Sequence, residues 1–126
     1  MGTYSKLAME EIRADYNKFA REVAIDVDQR VVLKTPVDTG RARANWVVGF
    51  SRPVRRARRT VDQSGGATIV ENTRKIQQAK DFVNVWISNN LPYINELENG
   101  SSRQAPAGMA RLAVNETVRV FSNRRI

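Results

Sequence analysis

The chain has 126 residues, 41% of them apolar, and 21 Lys and Arg against 13 Asp and Glu give a formal net charge of +8. That length fits one domain, 1-126, with a modest core, and no apolar run approaches the roughly 18–20 residues of a bilayer-spanning helix. Cysteine and histidine are both absent, which excludes disulfides and thiolate metal sites and removes the usual general base near neutral pH.

The first residues, MGTYSKLAMEEIR, carry acids early and no continuous hydrophobic stretch, so they do not read as a signal peptide. From Tyr4 to Lys34, residues Ile12, Tyr16, Phe19, Val23, Val27 and Val31 recur at steps of three and four, which predicts one long amphipathic helix. Such a helix is long for a small domain and is expected to pack on a sheet or a neighbouring subunit. TPVDTG ends it: Pro36 disfavours helical geometry at Thr35, and Gly40 suits a tight or left-handed turn. Asp38, beside Thr39 and Gly40, reads as a turn or cap residue bonded to the local backbone rather than a metal ligand.

Ala44 to Phe50, ANWVVGF, suits a strand. An arginine run, RPVRRARR at 52–59, leads to the glycines of VDQSGG and a helix over 67–80 with Ile69, Thr73, Ile76 and Ala79 on one side. A second strand is predicted for Phe82–Ser88, with Val83, Val85 and Ile87 facing the core. Asn89 and Asn90 then turn, Pro92 starts a short helix, and Gly100 ends it. A polar loop precedes a last helix, AGMARLAVNETVRVF, with Met109, Leu112, Ala113 and Val120 on one stripe; Val114 and Val118 also permit a strand. The tail, SNRRI, is expected to fray. The fold class is α+β: a long N-terminal helix packed on a small antiparallel sheet, with a short helix and a C-terminal helix.

Charge is unevenly placed. Residues 1–34 hold six bases and six acids, whereas the window Arg41–Arg59 holds seven arginines and no acid. Arg52, Arg55, Arg56, Arg58 and Arg59 therefore read as contacts to DNA phosphates, as contacts to an acidic partner, or as a solvated loop. No helix-turn-helix, zinc-finger or ribbon signature accompanies them. Glu96 and Glu98 lie two apart, which on a helix points them to different sides, so they do not form an acid–base pair. Trp46 and Trp86 read as packing residues, while Tyr93, after a proline, can pack its ring and offer its hydroxyl to a polar partner. No catalytic residue, cofactor or metal site is expected, and the chain does not read as an enzyme.

TPVDTGRARANW at 35–46 and VWISNNLPYINELENGSSRQAPAGM at 85–109 together resemble the neck and tail-completion proteins of long-tailed bacteriophages, in particular the minor-tail-protein Z type within the wider head–tail joining family. Thr35, Pro36, Asp38, Thr39, Gly40, Arg41, Asn45 and Trp46 match the first motif. Asn89, Asn90, Pro92, Tyr93, Leu97, Glu98, Gly100, Ser102, Gln104, Ala105, Pro106, Gly108 and Met109 match the second. The resemblance runs over roughly residues 5–120. Ile94 stands where alanine is common, Asn99 where an aromatic often precedes the glycine, and the arginine run is not part of the pattern. The family has no established catalytic residue to transfer.

The resemblance implies a structural protein of the virion neck or head-proximal tail end, present in host cytoplasm during assembly, that completes the tail and joins it to the head. It implies a homo-oligomeric ring around the DNA path, sixfold being the symmetry of the tail tube. The implied partners are neighbouring neck, tail-terminator or connector proteins and DNA passing through the channel without sequence preference, and no membrane. On that reading Asn89, Asn90, Pro92, Tyr93, Glu98, Gly100, Ser102, Gln104 and Pro106 form an interface, with Tyr93 and Glu98 fixing the loop from behind. Pro36, Asp38, Thr39, Gly40 and Trp46 form a structural turn. The alternative is a small basic nucleic-acid-binding protein acting through Arg52–Arg59.

Overall fold

The helical periodicity of the first quarter of the chain is realised as α1, Thr3–Lys34, 32 residues and about 48 Å long. A computed structural model describes residues 3–100 and 108–123. After α1 come α2 (Arg41–Ala44), β1 (Trp46–Phe50), α3 (Gly66–Gln77), β2 (Val85–Asn89), α4 (Ile94–Glu98) and α5 (Met109–Phe121). The two strands pair antiparallel, Trp46 opposite Asn89, Val48 opposite Ile87 and Gly49 opposite Trp86. The architecture is α+β, with a long first helix, a two-stranded sheet and a C-terminal helix. Among the described residues no helix is long and apolar enough to cross a membrane.

The C-terminal half of α1 lies between α5 and α3, and α3 also covers β1. The core is Val31 and Val32 of α1, Trp46 of β1, and Met109 and Ala113 of α5, with Ile69, Ile87, Ile94 and Leu97 packed around it. Sheet and long helix thus meet through Trp46. Its indole N–H donates to Thr35 Oγ1 at 2.8 Å, and the Thr35 hydroxyl donates to the Val31 carbonyl at 2.6 Å. A buried indole needs such a partner, and threonine at the end of α1 supplies it. On the other side, the Thr117 hydroxyl of α5 donates to Asp26 at 2.7 Å, and Arg30 and Lys34 reach Glu116 at 3.2 and 2.8 Å.

Some sequence expectations shift. Ile12 and Tyr16 share the helical face of Val31 by spacing, yet Ile12 is 67% exposed and Tyr16 is exposed too. All of residues 6–16 are exposed, because α3 and α5 cover only the later turns of α1. In α5 the buried stripe is Met109, Ala113 and Thr117, steps of four. Leu112 is half-buried and Val120 faces solvent. β2 starts at Val85, not Phe82. Phe82 has φ +60° in a turn after α3, and its ring stacks on Tyr16 with centroids 5.4 Å apart.

Candidate docking surfaces

β1 is buried from Trp46 through Gly49, although a two-stranded sheet has only one face on the core. The second face is covered by the segment between β1 and α3, which forms neither helix nor strand. This strap is pinned at four points. Ser51 N donates to Asn84 O at 2.8 Å. The Val54 carbonyl accepts from Ser88 Oγ at 3.2 Å and Asn90 Nδ2 at 2.7 Å. Arg58 exchanges backbone bonds with the Asn45 amide, and Asp62 N donates to Gly40 O at 2.9 Å. Gly49 is the strand residue beneath it: a Cβ there would lie 2.6 Å from the Arg52 carbonyl oxygen. A side chain at 49 would lift the strap, which is why the strand carries glycine at that point.

The seven arginines divide by role. Arg43 donates to the carbonyls of Leu33, Thr35, Gln63 and Ser64, and Arg41 to that of Arg58. Arg58, expected to face DNA or an acidic partner, instead turns inward to Glu71 at 3.3 Å. Partial burial pushes Glu71 up, but the Arg58 and Lys75 charges outweigh this and hold its carboxyl below the ordinary value. Arg52, Arg55, Arg56 and Arg59 are exposed and have no ion pair among the described residues. The strap therefore presents these four as a basic ribbon on a fixed backbone, next to the exposed edges of Val54 and Trp86, the latter 44% exposed.

The first motif is a structural joint. Gly40 has φ +88°, and a Cβ there would lie 2.6 Å from Gln63 N. Its carbonyl accepts both Ala44 N and Asp62 N. The side-chain bond in this turn comes from Thr39 Oγ1, which accepts Arg41 N at 3.2 Å. Asp38, expected to make it, is exposed, and Thr39 takes the Arg41 amide in its place. Pro36 is half-buried at the exit of α1.

The second motif also builds the chain from within. Asn89 Oδ1 accepts Leu91 N at 3.2 Å, the expected turn, while its amide donates to Ala42 O at 2.9 Å; Asn90 anchors the strap. Glu98 holds the start of α5: its carboxylate accepts Ala110 N at 2.8 Å and Arg111 N at 3.3 Å, and its carbonyl accepts Gly108 N. Pro92, Tyr93 and Gly100 are exposed, Gly100 at φ +94°. Ser102, Gln104 and Pro106 lie outside the described residues, as do the last three residues of the tail.

Two arrangements were not foreseen. Asp62 caps α3 from three residues before its N-cap Gly65, accepting Thr68 N and Oγ1 at 2.8 Å and Gly65 N at 3.1 Å. Partial burial raises its pKa, and these bonds, with one from Ser64, more than reverse that, so the carboxyl sits below the ordinary value. The order Asp-x-Ser-Gly-Gly-x-Thr before an apolar period is a capping signal legible in the sequence. Asp28, fully buried in α1, accepts from Asn72 Nδ2 at 2.9 Å, and the same amide donates to Trp46 O. Burial pushes Asp28 up to about 7 despite the Asn72 bond. Nothing in its spacing marks it as different from the solvated acids of α1.

A second exposed surface is the projecting start of α1. Met9, Ile12, Arg13 and Tyr16 line an open apolar groove with Phe82, whose ring lies 5.6 Å from the Arg13 guanidinium. Among the described residues no group of three His, Cys, Asp or Glu is placed to hold a metal ion. No family model matches the chain, and no curated protein or solved structure is significantly similar to it.

Proposed function

We propose that the chain is a structural virion protein of the phage neck or head-proximal tail end, completing the tail and joining it to the head as a ring around the DNA path. One observation carries this reading. Thr35, Thr39, Asn45, Asn89, Asn90 and Glu98 of the two motifs are used for internal joints, and what the fold turns outward is docking surface: a pinned basic ribbon and the exposed start of the long helix. That division suits a part whose task is to fit between neighbours. The two ordered motifs and their likeness to the tail-completion pattern supply the identity of the assembly. In a ring each copy presents two different surfaces to its neighbours, and ribbon and helix are two such surfaces.

The test is negative-stain electron microscopy of virions made without this protein. The expected result is filled heads beside separate tails, converted to joined particles when the purified protein is added. Normally joined particles in its absence would remove the proposal.

A second reading has its own support in Arg52, Arg55, Arg56 and Arg59, four arginines free of ion pairs among the described residues beside the exposed Trp86. Backbone binding to nucleic acid through that ribbon gives an affinity that falls steeply with salt, the slope decreasing by about one per arginine removed. Salt-independent binding unaffected by alanine at these four positions would eliminate it.

A further inference from the structure

We propose that the projecting start of α1 docks on the basic ribbon of a second copy of this chain, head to tail. The inference deepens the ring reading and rests on it for closure alone. Each of residues 6–16 is exposed, Tyr16 and Arg13 touching Phe82 on one side, and helical spacing sorts them into rows. Leu7, Glu11 and Asp15 make one row of i,i+4 neighbours, and Ala8, Ile12 and Tyr16 make the adjacent one. One face of this arm is thus acidic along one edge and apolar along the other. Neither Glu11 nor Asp15 has an ion pair among the described residues, while further along the same helix Asp26, Arg30 and Lys34 are all engaged.

The ribbon is the complement. Arg52, Arg55, Arg56 and Arg59 are exposed, equally without ion pairs among the described residues; Val54 of the same strap is exposed, as is Trp86, which pairs opposite the Gly49 that the strap covers. Within one chain the unpaired acids and the unpaired arginines do not meet. Between two chains, Glu11 and Asp15 against the arginines and Ile12 and Tyr16 against Val54 and Trp86 satisfy both sets with one contact. The ribbon backbone is already fixed by Asn45, Ser88, Asn90 and Gly40, so docking orders no loop, and that preorganisation lowers the entropic cost of association. The contact uses different surfaces on its two sides, so it repeats. It closes into a ring if the rotation allows and otherwise grows into a filament.

Sedimentation equilibrium on the full chain over a concentration series tests this, with two charge-reversal variants, Glu11→Arg/Asp15→Arg and Arg55→Glu/Arg56→Glu. None of these side chains has an intrachain ion pair among the described residues, so both variants are expected to show the wild-type circular dichroism spectrum and melting temperature. The wild type is expected to self-associate, more weakly as salt rises. Each variant alone should associate at least about tenfold more weakly, and an equimolar mixture of the two should regain association, because every arm then finds charges of opposite sign at positions 55 and 56 of a ribbon.

A wild-type chain that stays monomeric throughout overturns the contact. So does self-association indifferent to both reversals, which leaves a ring built through another surface. So too does duplex DNA binding that is lost in Arg55→Glu/Arg56→Glu while self-association is unchanged, which gives the ribbon to nucleic acid. Reversal-sensitive association into open filaments alone supports the contact and removes the ring.

Discussion

Asp28 is a carboxyl buried with one partner and one orphan. Asn72 Nδ2 serves Asp28 Oδ1, whereas Asp28 Oδ2 and Asn72 Oδ1 have no bond. A proton on Oδ2 removes the unpaired buried charge, and this chemistry agrees with a pKa pushed by burial from 3.8 to about 7. As pH rises above 3.8 the unfolded chain gives up this proton while the folded chain keeps it, so Asp28 erodes stability up to about 7 and adds no further slope beyond. Each unit of separation is worth about 1.4 kcal/mol. Asp28→Asn carries a permanent donor in place of the acid, and its urea midpoint is expected to lose the downward slope between pH 4 and 7 and to exceed the wild type at pH 7. A variant retaining that slope would assign it to another group. Asp62 acts in the opposite sense: its lowered pKa contributes stability above the ordinary carboxylate range that disappears as pH falls through its folded value. Gly40→Ala faces both a left-handed φ and backbone atoms under 3 Å from the new carbon, and should cost about 2 kcal/mol or more in chemical denaturation.

At the scale of elements, what could be read from the sequence was what repeats locally. The periodicity of α1, α3 and α5 and the apolar alternation of β2 place those elements because each rests on neighbours three, four or two residues away. The turns at Pro36, Gly40 and Asn89 were legible for the same reason, although the side-chain bond in the first came from Thr39 and not from Asp38. The strap was not, since its anchors, Asn45, Ser88 and Asn90, lie 13 to 36 residues from what they hold, and arginine-rich sequence looks alike whether pinned or free. The inward turn of Arg58 depends on Glu71, 13 residues away in α3, and Val120 drops out of the α5 stripe because α1 meets that helix along steps of four.

The strap makes a prediction of its own. In Gly49→Val the added side chain meets the Arg52 carbonyl and the Val54 backbone, so the strap must lift and expose the outer face of β1. Proteolysis between Arg52 and Arg59 should accelerate at least about tenfold, with a stability loss of roughly 1–3 kcal/mol. Resistance equal to wild type would mean that the strap is not held by that face. Glu98→Ala removes acceptors from two amides at the start of α5 and should lower stability by about 1 kcal/mol, read as a shift in melting temperature.

For the whole molecule, the long helix is two physical objects in one element. Residues 23–34 are held by α3 and α5 through Val31, Val32, Asp28 and the Asp26–Arg30–Glu116–Lys34 network. Among the described residues, 6–16 have no comparable support: Tyr16 and Arg13 touch Phe82, and Met9 and Ile12 line the groove beside it. A helical stretch of about eleven residues is marginal alone, because so few hydrogen bonds do not offset nucleation, and it persists here as an extension of turns that are already packed. Local opening from that end therefore costs far less free energy than global unfolding. In dilute solution the amides of residues 6–16 should exchange with deuterium orders of magnitude faster than those of residues 23–34. Raising the protein concentration or lowering the salt should then slow exchange in 6–16 and in the ribbon together, since docking covers both at once, and leave 23–34 unchanged. If protection appeared in one region without the other, arm and ribbon would have different occupants. If the arm were as protected as the rest of α1 at every concentration, the helix would be rigid by itself, and the need for a neighbour to cover it would rest on its apolar row alone.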